Sequence, residues 1–361
     1  MLRDKLVEFD PTTGRVANPP IQVFLESTSR CNLACVHCFT DFGVDPSPGH
    51  DMPMEVVRKL EPFIRTARFV NLNGVGEPLL AANFDEIVEF CGEGAELAFN
   101  TNALLLSDER CDRLVELGLG SITISVDGWE THRAVRGVPY ERVRERLMRL
   151  TESRARAGKE RPHVALAYTL MKRNVQELPR VLEDLLPAGA LHSVAVQPLV
   201  VFYEGMRDQN IYLAHDVEPV IRRAQEIATE NGVAFTVFRS SFKEDERNLD
   251  EEPKDDGPKA HLGSYSETYG CVDPFFQLHI RSTGDVVACC YGLEPGLNVL
   301  NTPLDEIWNG PEYRDLRQRL HAKRFEGRCE NCPLIFGSKE NQEDSLRPGH
   351  HHSQEARFLD L

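Results

Sequence analysis

From residue 21 to about residue 203 the chain alternates short runs rich in β-branched and aromatic residues with longer stretches whose apolar positions recur three and four apart. The runs 21–26, 69–73, 96–100, 121–126, 164–170 and 193–201 predict strands. Between them, 175–186 places Leu178, Val181, Leu182 and Leu185 on one side of an amphipathic helix. Ser107, followed by Asp108 and Glu109, predicts an N-cap with acids in the first turn, where the helix dipole favours negative charge. Strand and helix in strict alternation imply α/β architecture: a parallel sheet with right-handed crossovers.

After residue 203 the pattern changes. A helix over 216–231 and a strand over 233–238 are predicted, followed by a stretch, 243–259, dense in Asp, Glu, Lys, Pro and Gly, which reads as a mobile surface linker. Beyond it, 275–280 and 286–290 flank Ser282-Thr283-Gly284-Asp285 and predict a β-hairpin whose turn needs the glycine. One helix over 302–321 follows, with Trp308 and Leu316 as core residues. The tail from residue 338 is polar, and His350 to His352 read as a surface tract rather than a metal site.

The 361 residues, 41% of them apolar, suffice for one large domain and a smaller one. A formal net charge of −16 disfavours nucleic acid as partner, since phosphate backbones attract basic surfaces. The N-terminus lacks the apolar core of a signal peptide and no run has the length of a membrane span, so a cytoplasmic protein without membrane contact is expected. In that reducing compartment ten cysteines argue for metal ligation over disulfides.

Cys31, Cys35 and Cys38 form Cys-x3-Cys-x2-Cys just after the first strand. Three thiolates hold a 4Fe-4S cluster and leave one iron open to a small molecule. A structural zinc site wants four ligands, commonly as Cys-x2-Cys pairs, and is the alternative. The segment 29–38 resembles the signature loop of the radical S-adenosylmethionine (SAM) enzymes. That resemblance implies a partial (β/α)6 TIM-like barrel in which the open iron chelates SAM. Electrons from a donor such as flavodoxin or ferredoxin would cleave SAM to a 5'-deoxyadenosyl radical that takes hydrogen from substrate.

The resemblance also implies a SAM pocket. In 73–78, Gly76 and Glu77 match the family's glycine-glutamate element, whose backbone and carboxylate would receive the methionine ammonium; alone it is a glycine turn with a surface acid. Asn102 lies in a cofactor-proximal turn, Ser125 and Asp127 in the ribose-binding segment, and Arg136 where a cation faces the methionine carboxylate, unless it is a solvent-exposed arginine. His37 would pack near the adenine, or be an ordinary structural histidine. Leu170 and Met171 lie at the end of the fifth strand, where the family lays backbone and apolar surface on adenine; core packing explains them equally.

Cys271, Gly284 and Cys289 stand as Cys-x12-Gly-x4-Cys, and Cys329 and Cys332 follow. This resembles the SPASM and twitch domains appended to many radical SAM enzymes, and it implies that these four cysteines close a second 4Fe-4S cluster. Ser338, where a further cysteine would begin the full SPASM set, favours the single-cluster twitch form. A zinc ribbon is the alternative. Cys91 and Cys111 read as buried helix thiols. Cys290 adjoins a ligand and, by strand alternation, faces away from it; it is a hydrogen-atom donor to substrate, a buried thiol beside the cluster or an alternative ligand.

The expected organisation is an N-terminal extension over 1–20, the barrel over 21–240, the acidic linker over 241–262, the auxiliary domain over 263–337 and the tail over 338–361. The expected reaction is epimerisation of a hydroxyl-bearing carbon in a carbohydrate or aminocyclitol unit of a secondary metabolite, as in antibiotic-pathway relatives. An alcohol dehydrogenase on that substrate class and a ribosomal-peptide maturase are the alternatives.

Overall fold

A computed structural model describes residues 8–38, 49–201, 204–211, 217–237, 271–289, 295–330 and 332. Seven parallel strands form its centre: β3 (Gln22–Leu25), β4 (Phe69–Asn71), β5 (Glu96–Thr101), β6 (Ser121–Ser125), β7 (His163–Leu170), β8 (Ser193–Pro198) and β9 (Ala234–Val237), paired in sequence order. The architecture is the partial TIM-like barrel expected, with β9 as a seventh parallel strand beyond the six predicted units. The hairpin strands β10 (Gln277–Ile280) and β11 (Val286–Val287) extend the same sheet, because β10 pairs in parallel with β3. Two short strands, β1 (Phe9–Asp10) and β2 (Arg15–Val16), make a separate hairpin.

Alternation along the strands sorts the two faces of the sheet. Val23, Val70, Leu97, Phe99, Ile122, Ile124, Val164 and Leu166 are buried against the helices in one core. The opposite face, partly open, carries small and uncharged polar residues such as Ala98, Ala165, Ala167, Asn71, Asn100 and Gln197. Interior space therefore comes from short side chains on neighbouring strands.

Helix boundaries follow local chemistry. In α4 (Asp108–Glu116) the Ser107 hydroxyl accepts the Arg110 amide at 3.2 Å, as the N-cap reading requires. The helix predicted over 175–186 opens with a 3-10 turn, Val175–Glu177, before α7 (Leu178–Leu185), where Pro179 occupies the first turn that tolerates a missing N–H. The single helix expected over 302–321 is two, Leu304–Asn309 and Pro311–His321. Pro311 has no amide to continue the first, and a Cβ on Gly310 would lie 2.2 Å from the Glu306 carbonyl oxygen. Residues 273–276, expected partly in the hairpin strand, form a helical turn led by Pro274. Trp308 and Leu316 are buried as expected.

The N-terminal hairpin is clamped to these last helices. Asn309 accepts the Val16 amide and donates to the Val16 carbonyl, both at 2.9 Å, and the Trp308 indole donates to the Asn18 carbonyl at 2.8 Å. Arg317, fully buried, donates to the Pro274 carbonyl and to Asn309, and its guanidinium lies over the Trp308 ring. The linker of 243–259, the tail and Cys290 lie outside the described residues.

Two outcomes follow from this packing. Asn309→Ala strips both partners from the Val16 backbone and should cost roughly 1–3 kcal/mol, read as faster hydrogen exchange at the Val16 amide and a lower denaturation midpoint. His279 stacks on Phe24 at 4.2 Å between ring centroids, and burial lowers its pKa to about 3. Unfolded histidine titrates near 6.5, so in the window between those values the unfolded chain binds more protons and stability falls as pH falls. His279→Phe keeps the stack and should flatten the pH dependence of the urea midpoint there; an unaltered slope would show that His279 does not set it.

Candidate functional site: two cysteine clusters and a carboxylate-lined strand edge

The loops leaving the C-terminal ends of β3 to β7 share one edge of the sheet, and the first cysteine triplet lies in the loop after β3. That loop is pinned from outside by Asp51, which accepts the Thr28 hydroxyl at 2.7 Å and the Arg30 guanidinium at 2.7 Å on each oxygen. Within it the Cys38 amide donates to the Cys35 carbonyl at 2.9 Å. Cys31, Cys35 and Cys38 lie close enough to couple electrostatically, so the three thiols are neighbours. Burial pushes the Cys35 thiol up to about 11, against the pull of the Arg136 guanidinium, whose Nη1 lies 3.9 Å from Cys35 Sγ.

Gly76 is required where it stands: a Cβ there would meet the Thr28 carbonyl oxygen at 2.3 Å and that of Arg30 at 2.5 Å. The Glu77 amide donates to the Arg30 carbonyl at 2.8 Å, so the glycine loop lies directly on the cysteine loop. Glu77 is buried and not a surface acid. Its carboxylate accepts the Thr101 hydroxyl at 2.6 Å and the Asn102 amide at 2.8 Å, with the Leu79 amide at 3.4 Å. Burial raises its pKa although these donors oppose the shift. The carboxylate is therefore bound within the protein by its own loop and by the end of β5. The Asn102 side chain reaches across to Asn32 at 2.8 Å, within the cysteine loop.

Asp127, just past β6, is completely buried. It accepts the Arg136 Nε at 2.6 Å and the Thr169 amide at 2.6 Å, and His37 Nε2 lies 3.4 Å away. Burial alone would raise its pKa; Arg136, His37 and the Thr169 amide outweigh it and hold the carboxyl below its ordinary value. Arg136 is thus no solvent-exposed arginine: its side chain is 12% exposed, with one edge on Asp127 and one on Cys35. His37 is held neutral by burial, and its Nδ1 is buried without a partner beside the cluster loop. Ser125 lies on the open face at the end of β6.

Leu170 does not face that interior; its side chain belongs to the helix-side core, as alternation along β7 dictates. The apolar side chain beside the cysteine loop is Met171, which packs with Val135, Leu199 and Met206 against Val36. Glu26, buried at the end of β3, was not singled out from the sequence, although an acid ending an apolar strand directly before the cysteine loop is a visible signal.

The second set converges through the hairpin. Cys271 feels the charges of Cys289 and Cys332, and Cys329 that of Cys289. Gly284 holds the turn at φ +85, and its amide donates to the Arg281 carbonyl at 2.8 Å. Cys91 and Cys111 are buried helix thiols, each pushed up to about 12 mainly by burial. Among the described residues no three His, Cys, Asp or Glu side chains gather tightly enough for a single metal ion. Thiolates of an iron–sulfur cluster each bind a different iron and stand further apart. Three thiols with a neighbouring cation fit a cluster with one open iron, and four fit a closed one.

Residues 25–185 match the model of the radical SAM superfamily, and residues 271–333 match that of the SPASM iron–sulfur cluster-binding domain. An AdoMet-dependent heme synthase of Oleidesulfovibrio alaskensis is 26% identical over 334 residues, covering 85% of this chain and 78% of the relative. The mycofactocin maturase of Mycobacterium ulcerans is 26% identical over 322 residues, 87% of this chain and 80% of the relative. The crystal structure of Streptococcus suis SuiB bound to S-adenosylmethionine superposes with a TM-score of 0.64 at 16% identity, covering 85% of this chain and 69% of that one, a likeness of fold. The cofactors are SAM with its 4Fe-4S cluster and a further iron–sulfur cluster. No helix among the described residues is long and apolar enough to cross a membrane.

Cys31, Cys35 and Cys38 together changed to alanine should lower the iron content from about eight per chain to about four and abolish SAM cleavage; full iron in that variant would remove the triplet from the site. Glu77→Gln replaces an acceptor with a donor facing the Asn102 amide or the Thr101 hydroxyl, and should cost roughly 1–3 kcal/mol of stability by chemical denaturation.

Proposed function

We propose that this chain, a radical SAM enzyme with a C-terminal auxiliary iron–sulfur domain, is a maturase that takes hydrogen from a ribosomally made precursor peptide. The sugar or aminocyclitol epimerase expected from the sequence gives way, because relatives spanning most of the chain are named heme synthase, pre-heme d1 synthase and mycofactocin maturase. The residue on which epimerisation would depend, Cys290, lies outside the described residues.

The open face of the sheet carries this reading. Its strand positions offer Asn71, Asn100 and Gln197 as paired donors and acceptors, the complement of a peptide backbone. Among its described strand positions there is no Lys or Arg. A tetrapyrrole, the substrate class suggested by the heme synthase and pre-heme d1 synthase relatives, brings carboxylates that want such cations, and it stands as the second reading on the coverage of those relatives.

When bound, SAM and its cluster supply the hydrogen-abstracting radical. The chain's own residues orient and enclose it. Gly76 allows the backbone to approach closely. The Asp127–Arg136 pair fixes a guanidinium at Cys35, and Met171, Leu199 and Met206 exclude water from the Val36 side of the cysteine loop.

The test is anaerobic turnover of the reconstituted, dithionite-reduced enzyme with SAM and short precursor peptides encoded beside its gene. Peptide-dependent 5'-deoxyadenosine together with loss of hydrogen from the peptide by mass spectrometry is expected. Stimulation by a carboxylated tetrapyrrole and by no peptide would overturn the peptide reading in favour of the second.

A further inference from the structure

Glu26, the residue directly after β3, is a carboxylate with only 5% of the residue exposed. A buried carboxylate is costly unless donors surround it, and here they come from opposite parts of the chain. Oε2 accepts the Val75 amide at 3.0 Å, next to Gly76 and Glu77. Oε1 accepts the Ser282 amide at 3.1 Å and the Ser282 hydroxyl at 2.9 Å, in the turn between β10 and β11 and 256 residues away in sequence. The Glu26 amide donates to the Ile280 carbonyl at 2.9 Å. Gly74 leaves room for this contact, since a Cβ there would lie 2.1 Å from Glu26 Cγ.

We propose that Glu26 is a positioning residue through which the C-terminal hairpin holds the glycine loop in the form that receives SAM. The glycine loop touches the cysteine loop on one side through Gly76 and Glu77. On its other side its Val75 amide ends on Glu26, whose second oxygen belongs to the hairpin. Freed from Glu26, the half-buried Val75 amide loses its acceptor, and nothing then ties this side of the glycine loop to the hairpin. The hairpin that carries Cys289 at its end thereby also supports the SAM site.

The inference rests on SAM binding and not on the peptide reading, so the two fail separately: SAM affinity is measured with no peptide present. Holoenzyme with both clusters is titrated with SAM by equilibrium dialysis, and by the change SAM causes in the electron paramagnetic resonance of the reduced first cluster. Glu26→Gln preserves size but sets an NH2 group against N–H and O–H donors. It should weaken SAM binding about ten-fold at unchanged iron content. Ser282→Ala removes one donor from the far side and should weaken it about three-fold, and the double variant should be no worse than Glu26→Gln. At saturating SAM the rate of SAM cleavage should return toward that of the parent enzyme, which a general loss of folded protein would not allow. Parent-like SAM affinity in Glu26→Gln with full iron content overturns the proposal. If Glu26→Gln fails to hold its clusters, Ser282→Ala decides, and parent-like affinity in that variant overturns it equally.

Discussion

Burying negative charge at one edge of a sheet is the constraint on which this molecule's site depends. Glu26, Glu77 and Asp127 are 5%, 3% and 0% exposed at that edge, and each survives there only because N–H and O–H donors converge on it. Glu77 takes Thr101 and Asn102, Asp127 takes Arg136 and Thr169, and Glu26 takes Val75 and Ser282. Each carboxylate thus ties the ends of two or more strands together. The loops that carry the cysteines and glycines are placed by charge compensation as much as by sheet pairing.

The same constraint explains how one sheet serves two iron–sulfur sites. Parallel pairing of β10 with β3 puts the hairpin of the second site beside the strand that leads into the first. The stacked rings of Phe24 and His279 continue that seam on the open face. The N-terminal hairpin, held by Asn309 and Trp308, locks the far helices to the start of the chain. Two domains in sequence are therefore one continuous sheet in space.

The buried carboxylates gather at the strand ends, while much of the middle of the open face carries alanines beside the Phe24–His279 stack. Ala98, Ala165, Ala167 and Ala195 keep the side chains there short.

The sequence by itself determined the strand and helix alternation, the cysteine spacings, the Ser107 cap and the glycine of the hairpin turn, since these are local: period, propensity and φ act within a few residues. It located Gly76, Asp127 and Arg136 without showing what each touches. Tertiary structure alone decided that Arg136 is buried on Asp127 and Cys35, that the Glu77 carboxylate is bound by Thr101 and Asn102, and that Leu170 faces the core while Met171 faces the cysteine loop. It also decided that Glu26 joins Val75 to Ser282 across 256 residues. Those facts concern which donor a buried charge finds, and that partner is chosen only when strands distant in sequence are brought side by side.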